Sequence, residues 1–79
     1  MDPRDAVLTV LREAGEPLHR TVIQDRALRA GYVDPFVTRD IPREFAHALQ
    51  ALLADGTIVR TAKGVYAPAA AGSEESPPG

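Results

Sequence analysis

The sequence predicts a mainly α-helical domain of the α+β class, in which three helices precede a small β-hairpin. Three stretches repeat apolar residues at helical spacing, and a glycine follows each of them. After the last of these glycines come TIVR and VYAP, two short β-prone runs separated by TAKG. A chain of 79 residues has apolar surface for one core only, so we expect one domain over residues 1–69.

The first helix follows a strong start signal. Asp2 can cap the helix, Pro3 suits its first position, and Asp5 adds negative charge to its first turn. Gly15 is the residue type that ends a helix. The predicted buried stripe consists of Ala6, Val7, Val10, Leu11 and Ala14.

The next segment, PLH at residues 17–19, is too short for a helix and begins with proline, so we expect it to be extended. The run TVIQDRALRA then predicts a second helix, which starts near Thr21 or His19 and ends at Gly31. Its buried side should consist of Ile23, Ala27 and Ala30, supported by Val22 or Leu28.

The connection to the third helix, VDPFVTRD, permits two interpretations. Asp34 and Pro35 predict either a short helical turn or a β-turn. Because a small domain needs its aromatic residues in the core, we expect Phe36 and Tyr32 to anchor the connection there. The alternative is an exposed apolar patch of Tyr32, Val33 and Phe36, which would indicate a protein partner.

The third helix is predicted within DIPREFAHALQALLADG. Asp40 can cap it, Pro42 is tolerated because it falls in the first turn, and Gly56 ends it. Its apolar stripe consists of Phe45, Leu49, Leu52 and Leu53. The outward face would then present Arg43, His47, Gln50 and Ala54.

The hairpin completes the predicted architecture. Gly64 lies where a hairpin loop of three or four residues requires a positive φ, and the PLH segment can add a third strand. Helix, extended segment, helix, turn, helix and hairpin is the element order of a winged helix-turn-helix, with the hairpin as the wing. The remaining residues 70–79, AAGSEESPPG, predict a disordered acidic and proline-rich tail.

The charge balance counts against a strongly basic nucleic-acid binder. Nine Lys and Arg stand against eleven Asp and Glu, the formal net charge is −2 and the pI is about 5.5. Two of the acids, Glu74 and Glu75, lie in the predicted tail, so the folded part is neutral by count. Eight of the nine cations are arginine, which suits phosphate recognition and would equally follow from high genomic GC content.

Catalytic and metal chemistry have no support in the sequence. It contains no cysteine, no Gly-rich phosphate loop and no nucleophile with a nearby base, so we expect neither an enzyme nor a cofactor. The spacing of the histidines, His19 and His47, supplies no further metal ligands. His19 should instead satisfy backbone groups where the second helix begins.

The sequence also gives expectations for location. No apolar run approaches the roughly 20 residues needed to span a bilayer. The N-terminal stretch MDPRDAV lacks the basic and then apolar layout of a secretion signal. We therefore expect a soluble cytoplasmic protein without membrane contact.

Four sequence elements between residues 5 and 68 resemble one group of winged helices. They are Glu13-Ala14-Gly15, Pro17-Leu18-His19, Gly31 and Gly64-Val65-Tyr66, and the stretch EAGEPLH is the most specific of them. Through these residues the chain resembles the HARE-HTH group. The resemblance implies a nucleic-acid-associated module, of the kind attached to restriction or chromatin proteins. A relative of the fold occurs in an accessory subunit of bacterial RNA polymerase.

The third helix of a helix-turn-helix enters the major groove, so its outward residues are candidates for DNA contact. Arg43 and Gln50 are residue types that pair with guanine and adenine edges. Arg39 could bind phosphate together with the helix N-terminus, and the wing cations could contact the DNA backbone. The predicted DNA-binding set is Arg39, Arg43, His47, Gln50, Arg60, Thr61 and Lys63.

Two hypotheses of different classes remain open at this point. The first is a small DNA-binding protein, a transcriptional regulator or accessory factor, that dimerises over two half-sites because one monomer carries little charge. The second is a protein-interaction module that docks on a transcription or replication complex. In the second case the cations are ordinary solvated side chains, and Arg39 pairs with Asp34 or Asp40.

Overall fold

The computed structural model describes residues 1–37 and 39–69. Within them the predicted α+β class is confirmed, because three helices and a three-stranded antiparallel sheet form a topology consistent with a winged helix. The predicted tail, residues 70–79, lies outside the described residues. The elements in chain order are α1 (Pro3–Ala14), β1 (Leu18–His19), α2 (Arg20–Arg29), α3 (Ile41–Ala54), β2 (Ile58–Ala62) and β3 (Val65–Pro68).

Helix α1 begins where the sequence predicts. The Asp2 carboxylate accepts a hydrogen bond from the backbone N–H of Arg4 at 3.1 Å, and Pro3 occupies the first helical position. Gly15 follows the helix with a φ of 67°. The buried residues are Ala6, Val7, Val10 and Leu11, and Ala14 at the end of the predicted stripe is half-buried.

His19 caps helix α2, which therefore begins at Arg20. The His19 Nδ1 accepts a hydrogen bond from the backbone N–H of Thr21 at 3.2 Å and lies 2.9 Å from the Thr21 hydroxyl oxygen. The prediction that this histidine satisfies backbone groups at the start of the second helix is confirmed.

The buried side of α2 is narrower than predicted. Ile23 and Ala27 are buried and Leu28 is half-buried, but Ala30, which the sequence predicts to be buried, is exposed. Ala30 is the C-cap residue, and its N–H donates to the carbonyl of Arg26 at 2.9 Å. Because the helix ends there, Ala30 cannot continue the apolar stripe.

The core lies between the three helices and the sheet, and α1 packs against both α2 and α3. Phe45 of α3 is only 2% exposed. Among the described residues no polar or charged residue is buried, so apolar contact alone fills the interior. The buried residues are Ala6, Val7, Val10, Leu11, Leu18, Ile23, Ala27, Val33, Ile41, Phe45, Ala48, Leu49, Leu52, Ile58 and Tyr66.

The sheet has the strand order β1-β3-β2, which confirms the predicted third strand. The hairpin loop is shorter than predicted, because Ala62 pairs with Val65 and only Lys63 and Gly64 lie between them. Thr61 is the extra residue of a β-bulge in β2. The bulge takes up a residue that the prediction placed in the loop.

The connection between α2 and α3 differs from the prediction in one residue. Val33 is buried and Tyr32 packs half-buried against the core, but Phe36 is 93% and Val37 76% exposed. The Asp34 carboxylate accepts from the Phe36 N–H at 2.9 Å, and the Asp34 carbonyl accepts from the Val37 N–H at 3.0 Å. These bonds close a β-turn that leaves both side chains in solvent. The prediction that Phe36 anchors the connection to the core is therefore wrong.

Tyr32 fastens this connection to α1. Its hydroxyl donates a hydrogen bond to the Glu13 carboxylate at 2.5 Å. This hydrogen bond, with smaller contributions from desolvation and from the negative charge of Glu13, raises the pKa of Tyr32 above its usual value of 10.0. A tyrosine of raised pKa stabilises the fold below its unfolded pKa, and that stabilisation is lost as the pH rises through the folded value.

We expect Glu13→Gln to lower the pKa of Tyr32, because the amide carries no negative charge. The measurement is a titration of phenolate absorbance in a Tyr66→Phe background. The chain has two tyrosines, so in this background the absorbance change comes from Tyr32 alone. An unchanged pKa for Tyr32 would mean that the contact with Glu13 does not form in solution.

Candidate nucleic-acid interface

Helix α3 presents a polar outer face, as its apolar spacing predicts. The residues predicted to face outward, Arg43, His47, Gln50 and Ala54, are all exposed. The buried side consists of Ile41, Phe45, Ala48, Leu49 and Leu52, and Leu53, at the edge of the stripe, is half-buried. The exposed face thus carries arginine and glutamine, which can pair with guanine and adenine edges.

The start of α3 is already occupied by a carboxylate. Asp40 is the N-cap, and its Oδ1 accepts from the backbone N–H of Arg43 at 3.4 Å. A phosphate at this helix end would face that negative charge, so the N-terminus of α3 is a poor partner for Arg39 in phosphate binding. Arg39 itself is exposed, and within the described residues it forms no ion pair with Asp34 or Asp40.

The wing carries the remaining predicted residues. Arg60 and Thr61 of β2 and Lys63 of the loop are all exposed. Together with Ala62 they line a shallow, open depression at the tip of the hairpin. The wing tip therefore offers two cations and one hydroxyl to a partner.

Most cations are free of ion pairs with the acids that the structure describes. Arg29 pairs with Asp25 at 2.9 Å, and Arg4 lies 3.7 Å from Asp2. These are two of the nine cations, which leaves seven without such a partner within residues 1–37 and 39–69. The arginine of α3 and the cations of the wing are among the seven.

The wing turn is bound to the start of α2. The backbone N–H of Arg20 donates to the carbonyl of Gly64 at 2.9 Å. The His19 ring covers the same glycine, because a Cβ built on Gly64 would lie 3.0 Å from the His19 Nε2. His19 also pairs with Val65 across β1 and β3. These contacts fix the position of the wing tip relative to α2.

Arg20 connects the wing with helix α3. The residue is exposed, and it borders a groove of about 290 Å³ between α2 and α3. We name this the α2–α3 groove; its lining consists of Arg20, Thr21, Gln24, Pro42, Phe45, Ala46 and Leu49. Gln50 follows Ala46 by one helical turn, so the groove adjoins the outer face of α3. The wing turn and this face therefore flank one exposed arginine.

The predicted set omits Arg20, although the sequence contains a signal for it. The helix dipole favours acids in the first turn and cations in the last. Helix α2 reverses the first of these preferences, since its first turn contains Arg20 and Thr21 and no acid. A helix start with a guanidinium and a hydroxyl suits an anionic partner.

The other flank of α3 is different. Asp2 and Arg4, at the start of α1, line a second groove with Glu44 and His47. On the helical period this flank lies away from Ala46 and the α2–α3 groove. Of the predicted residues, His47 therefore lies beside acids, whereas Gln50, one helical turn after Ala46, lies toward the α2–α3 groove.

Comparison with family models, with curated proteins and with solved structures found no match for this chain. Across residues 1–37 and 39–69, no cluster of three or more His, Cys, Asp or Glu side chains could hold a metal ion. In the same part of the chain no helix has the length and apolar character of a membrane span.

Proposed function

We propose that this protein binds double-stranded DNA and serves as a transcriptional regulator or accessory factor. The observation that carries the proposal is the 2.9 Å bond from the Arg20 N–H to the Gly64 carbonyl. It holds the wing turn beside the arginine that borders the α2–α3 groove. The exposed cations of the wing thereby lie close to Arg20 at the start of α2. The resemblance to the HARE-HTH group supports the same function.

In this arrangement α3 enters the major groove, and the wing lies on the flanking backbone. Arg43 and Gln50 contact base edges. The cations Arg20, Arg60 and Lys63 contact phosphates, which position the protein without reading sequence. The remaining predicted residues have lesser roles: Thr61 donates a hydroxyl, Arg39 lies at the edge of the contact without neutralising a phosphate, and His47 stays at the acidic margin.

Three phosphate contacts predict weak binding that depends strongly on salt. Each neutralised phosphate contributes a slope of about −0.9 to the plot of log affinity against log salt, so three contribute about −2.7. Non-specific dissociation constants at physiological salt are then expected at about 10⁻⁴ to 10⁻⁶ M. Two copies on adjacent half-sites would strengthen the interaction.

The test is a fluorescence anisotropy titration of the protein into a labelled duplex of random sequence at several low salt concentrations. We expect Arg20→Ala and Lys63→Ala each to reduce the salt slope by about one, because each removes one phosphate contact. Arg43→Ala should weaken binding with a smaller change in slope, since its contact is to a base edge.

The matched control is Arg12→Ala, because Arg12 is also exposed and unpaired among the described residues. It lines a different groove, with Gly15 and Pro68, that shares no residue with the α2–α3 groove or the wing tip. We expect this variant to bind like the wild type. Absence of binding at low salt, or an equal loss in Arg12→Ala, would contradict DNA binding through the proposed face.

A second candidate function is that of a protein-interaction module on a transcription or replication complex. The observation in its favour is the exposure of Phe36 (93%) and Val37 (76%). These apolar side chains cannot bind phosphate, whereas adjacent exposed apolar residues suit a protein partner. Val33 is buried and Tyr32 is half-buried, so Phe36 is the one residue of the predicted apolar patch that is fully accessible to a protein partner.

A further inference from the structure

The turn from Asp34 to Val37, which we name the Phe36 turn, holds two adjacent apolar side chains in solvent. Single exposed apolar residues are common on protein surfaces. Here, however, the chain has only two Phe and two Tyr, and one of them is 93% exposed. One of the four aromatic side chains thus contributes nothing to the core. Its apolar surface contributes free energy only if a partner buries it.

The Phe36 turn is closed by hydrogen bonds within itself and fastened at its base. Two hydrogen bonds to Asp34, of 2.9 and 3.0 Å, close the turn. Its base is fixed by the buried Val33 and by the bond from Tyr32 to Glu13. Little backbone entropy is therefore lost when Phe36 enters a pocket.

The same chain contains a pocket of suitable size and chemistry. The α2–α3 groove has a volume of about 290 Å³, and Phe45, Ala46 and Leu49 contribute its apolar wall. A cavity of about 150 Å³ is enough to bind benzene, so the groove can take a phenylalanine ring. Pro42, which lines the groove, follows Phe36 by six residues in the sequence.

We propose that the protein forms a two-fold symmetric dimer in which Phe36 of each copy enters the α2–α3 groove of the other. In a two-fold dimer each copy inserts the same side chain and receives its counterpart in the same pocket, so the assembly closes at two copies. Charge is complementary as well, because Asp34 accompanies Phe36 in the turn and Arg20 lies at the rim of the groove. Arg20 then faces Asp34 in the dimer and phosphate in the DNA complex, so this dimer and the proposed phosphate contact of Arg20 exclude one another. Within the described residues Arg20 has no ion pair of its own.

The size of the contact indicates a weak dimer. Burying an aromatic side chain covers about 150–250 Å², and Val37 and the two groove walls add to this. Two such contacts bury on the order of 1,000 Å² in total, near the lower limit for a specific interface. Self-association should therefore be reversible and depend on protein concentration.

Sedimentation equilibrium of the full chain over a wide concentration range, without DNA, tests the proposal. The wild type should show a monomer–dimer equilibrium. Phe36→Ser should weaken dimerisation at least about tenfold, and it should still fold because the side chain has no core contact. Ala46→Arg, an exposed position in the groove wall, should have the same effect by filling the pocket.

Val22→Ser is the matched control, since Val22 is an exposed apolar residue of α2 that does not line the groove. It should dimerise like the wild type. A monomer at every concentration, assembly beyond the dimer, or undiminished association of Phe36→Ser would each overturn the proposal. Because no DNA is present, these outcomes test self-association alone, and the DNA titration above tests the proposed function separately. A monomer that captures an unrelated protein through Phe36 counts against the dimer.

Discussion

Replacing Phe45 by alanine should remove a large share of the stability of this domain. Phe45 is 2% exposed and lies in the core on the inner face of α3. Truncation of a buried phenylalanine costs about 3–5 kcal/mol, through lost burial and the cavity left behind. A domain of 79 residues has a free energy of unfolding of roughly 4–12 kcal/mol, so the loss is a large share of the total.

The chain offers a matched control for this substitution in its other phenylalanine. Phe36→Ala removes the same atoms from a side chain that is 93% exposed, and it should change the free energy of unfolding by no more than about 0.5 kcal/mol. Urea denaturation followed by circular dichroism measures both variants. If Phe45→Ala does not fold, Phe45→Leu should still unfold at less urea than Phe36→Ala. Equal costs for the two phenylalanines would contradict the described core.

Replacing Gly64 by alanine should loosen the wing from α2. Gly64 has a φ of +73°, a backbone conformation that costs an L-residue about 1–2 kcal/mol. A Cβ at this position would also lie 3.0 Å from the His19 Nε2. The His19 ring cannot easily move aside because its Nδ1 holds the Thr21 N–H, so we expect about 1 kcal/mol or more in addition.

Gly56 provides the comparison, because its φ is +77° and nothing lies within 4 Å of a Cβ built there. Gly56→Ala should therefore cost only the backbone strain. Each kcal/mol corresponds to about 4–8 °C in the melting temperature of a domain of this size, so calorimetry can resolve the difference. In a His19→Ala background the two glycine substitutions should cost the same amount. Equal costs already in the wild-type background would mean that His19 does not pack on the wing turn.

Features that depend on local sequence were predictable. The caps at Asp2 and Asp40, the inward and outward faces of α3, and the role of His19 all follow from residues close to one another in the chain. The third strand was predictable too. The PLH segment is too short for a helix and was expected to be extended, and the hairpin has a free edge with which an extended segment can pair.

The exposure of Phe36, the exposure of Ala30 and the position of Arg20 could not be predicted, because the sequence permits more than one arrangement at each of these residues. The Asp34 carboxylate accepts a hydrogen bond from the Phe36 N–H, and the resulting turn keeps the Phe36 ring in solvent. The composition of the segment does not show whether this turn or burial of the ring gives the lower free energy. Ala30 became exposed because the helix ended one residue earlier than its apolar spacing suggests. The place of Arg20 beside the wing arises from the pairing of β1 with β3, a contact between residues distant in sequence.

An amide-resolved NMR titration of the labelled protein with a short random duplex at low salt tests most directly whether α2, α3 and the wing act as one surface. DNA binding as proposed predicts that amide signals shift together at the start of α2, along the exposed face of α3 and at Lys63 and Gly64. The signals around Arg12 should stay in place. An absence of shifts, or shifts confined to the Phe36 turn, would contradict the account.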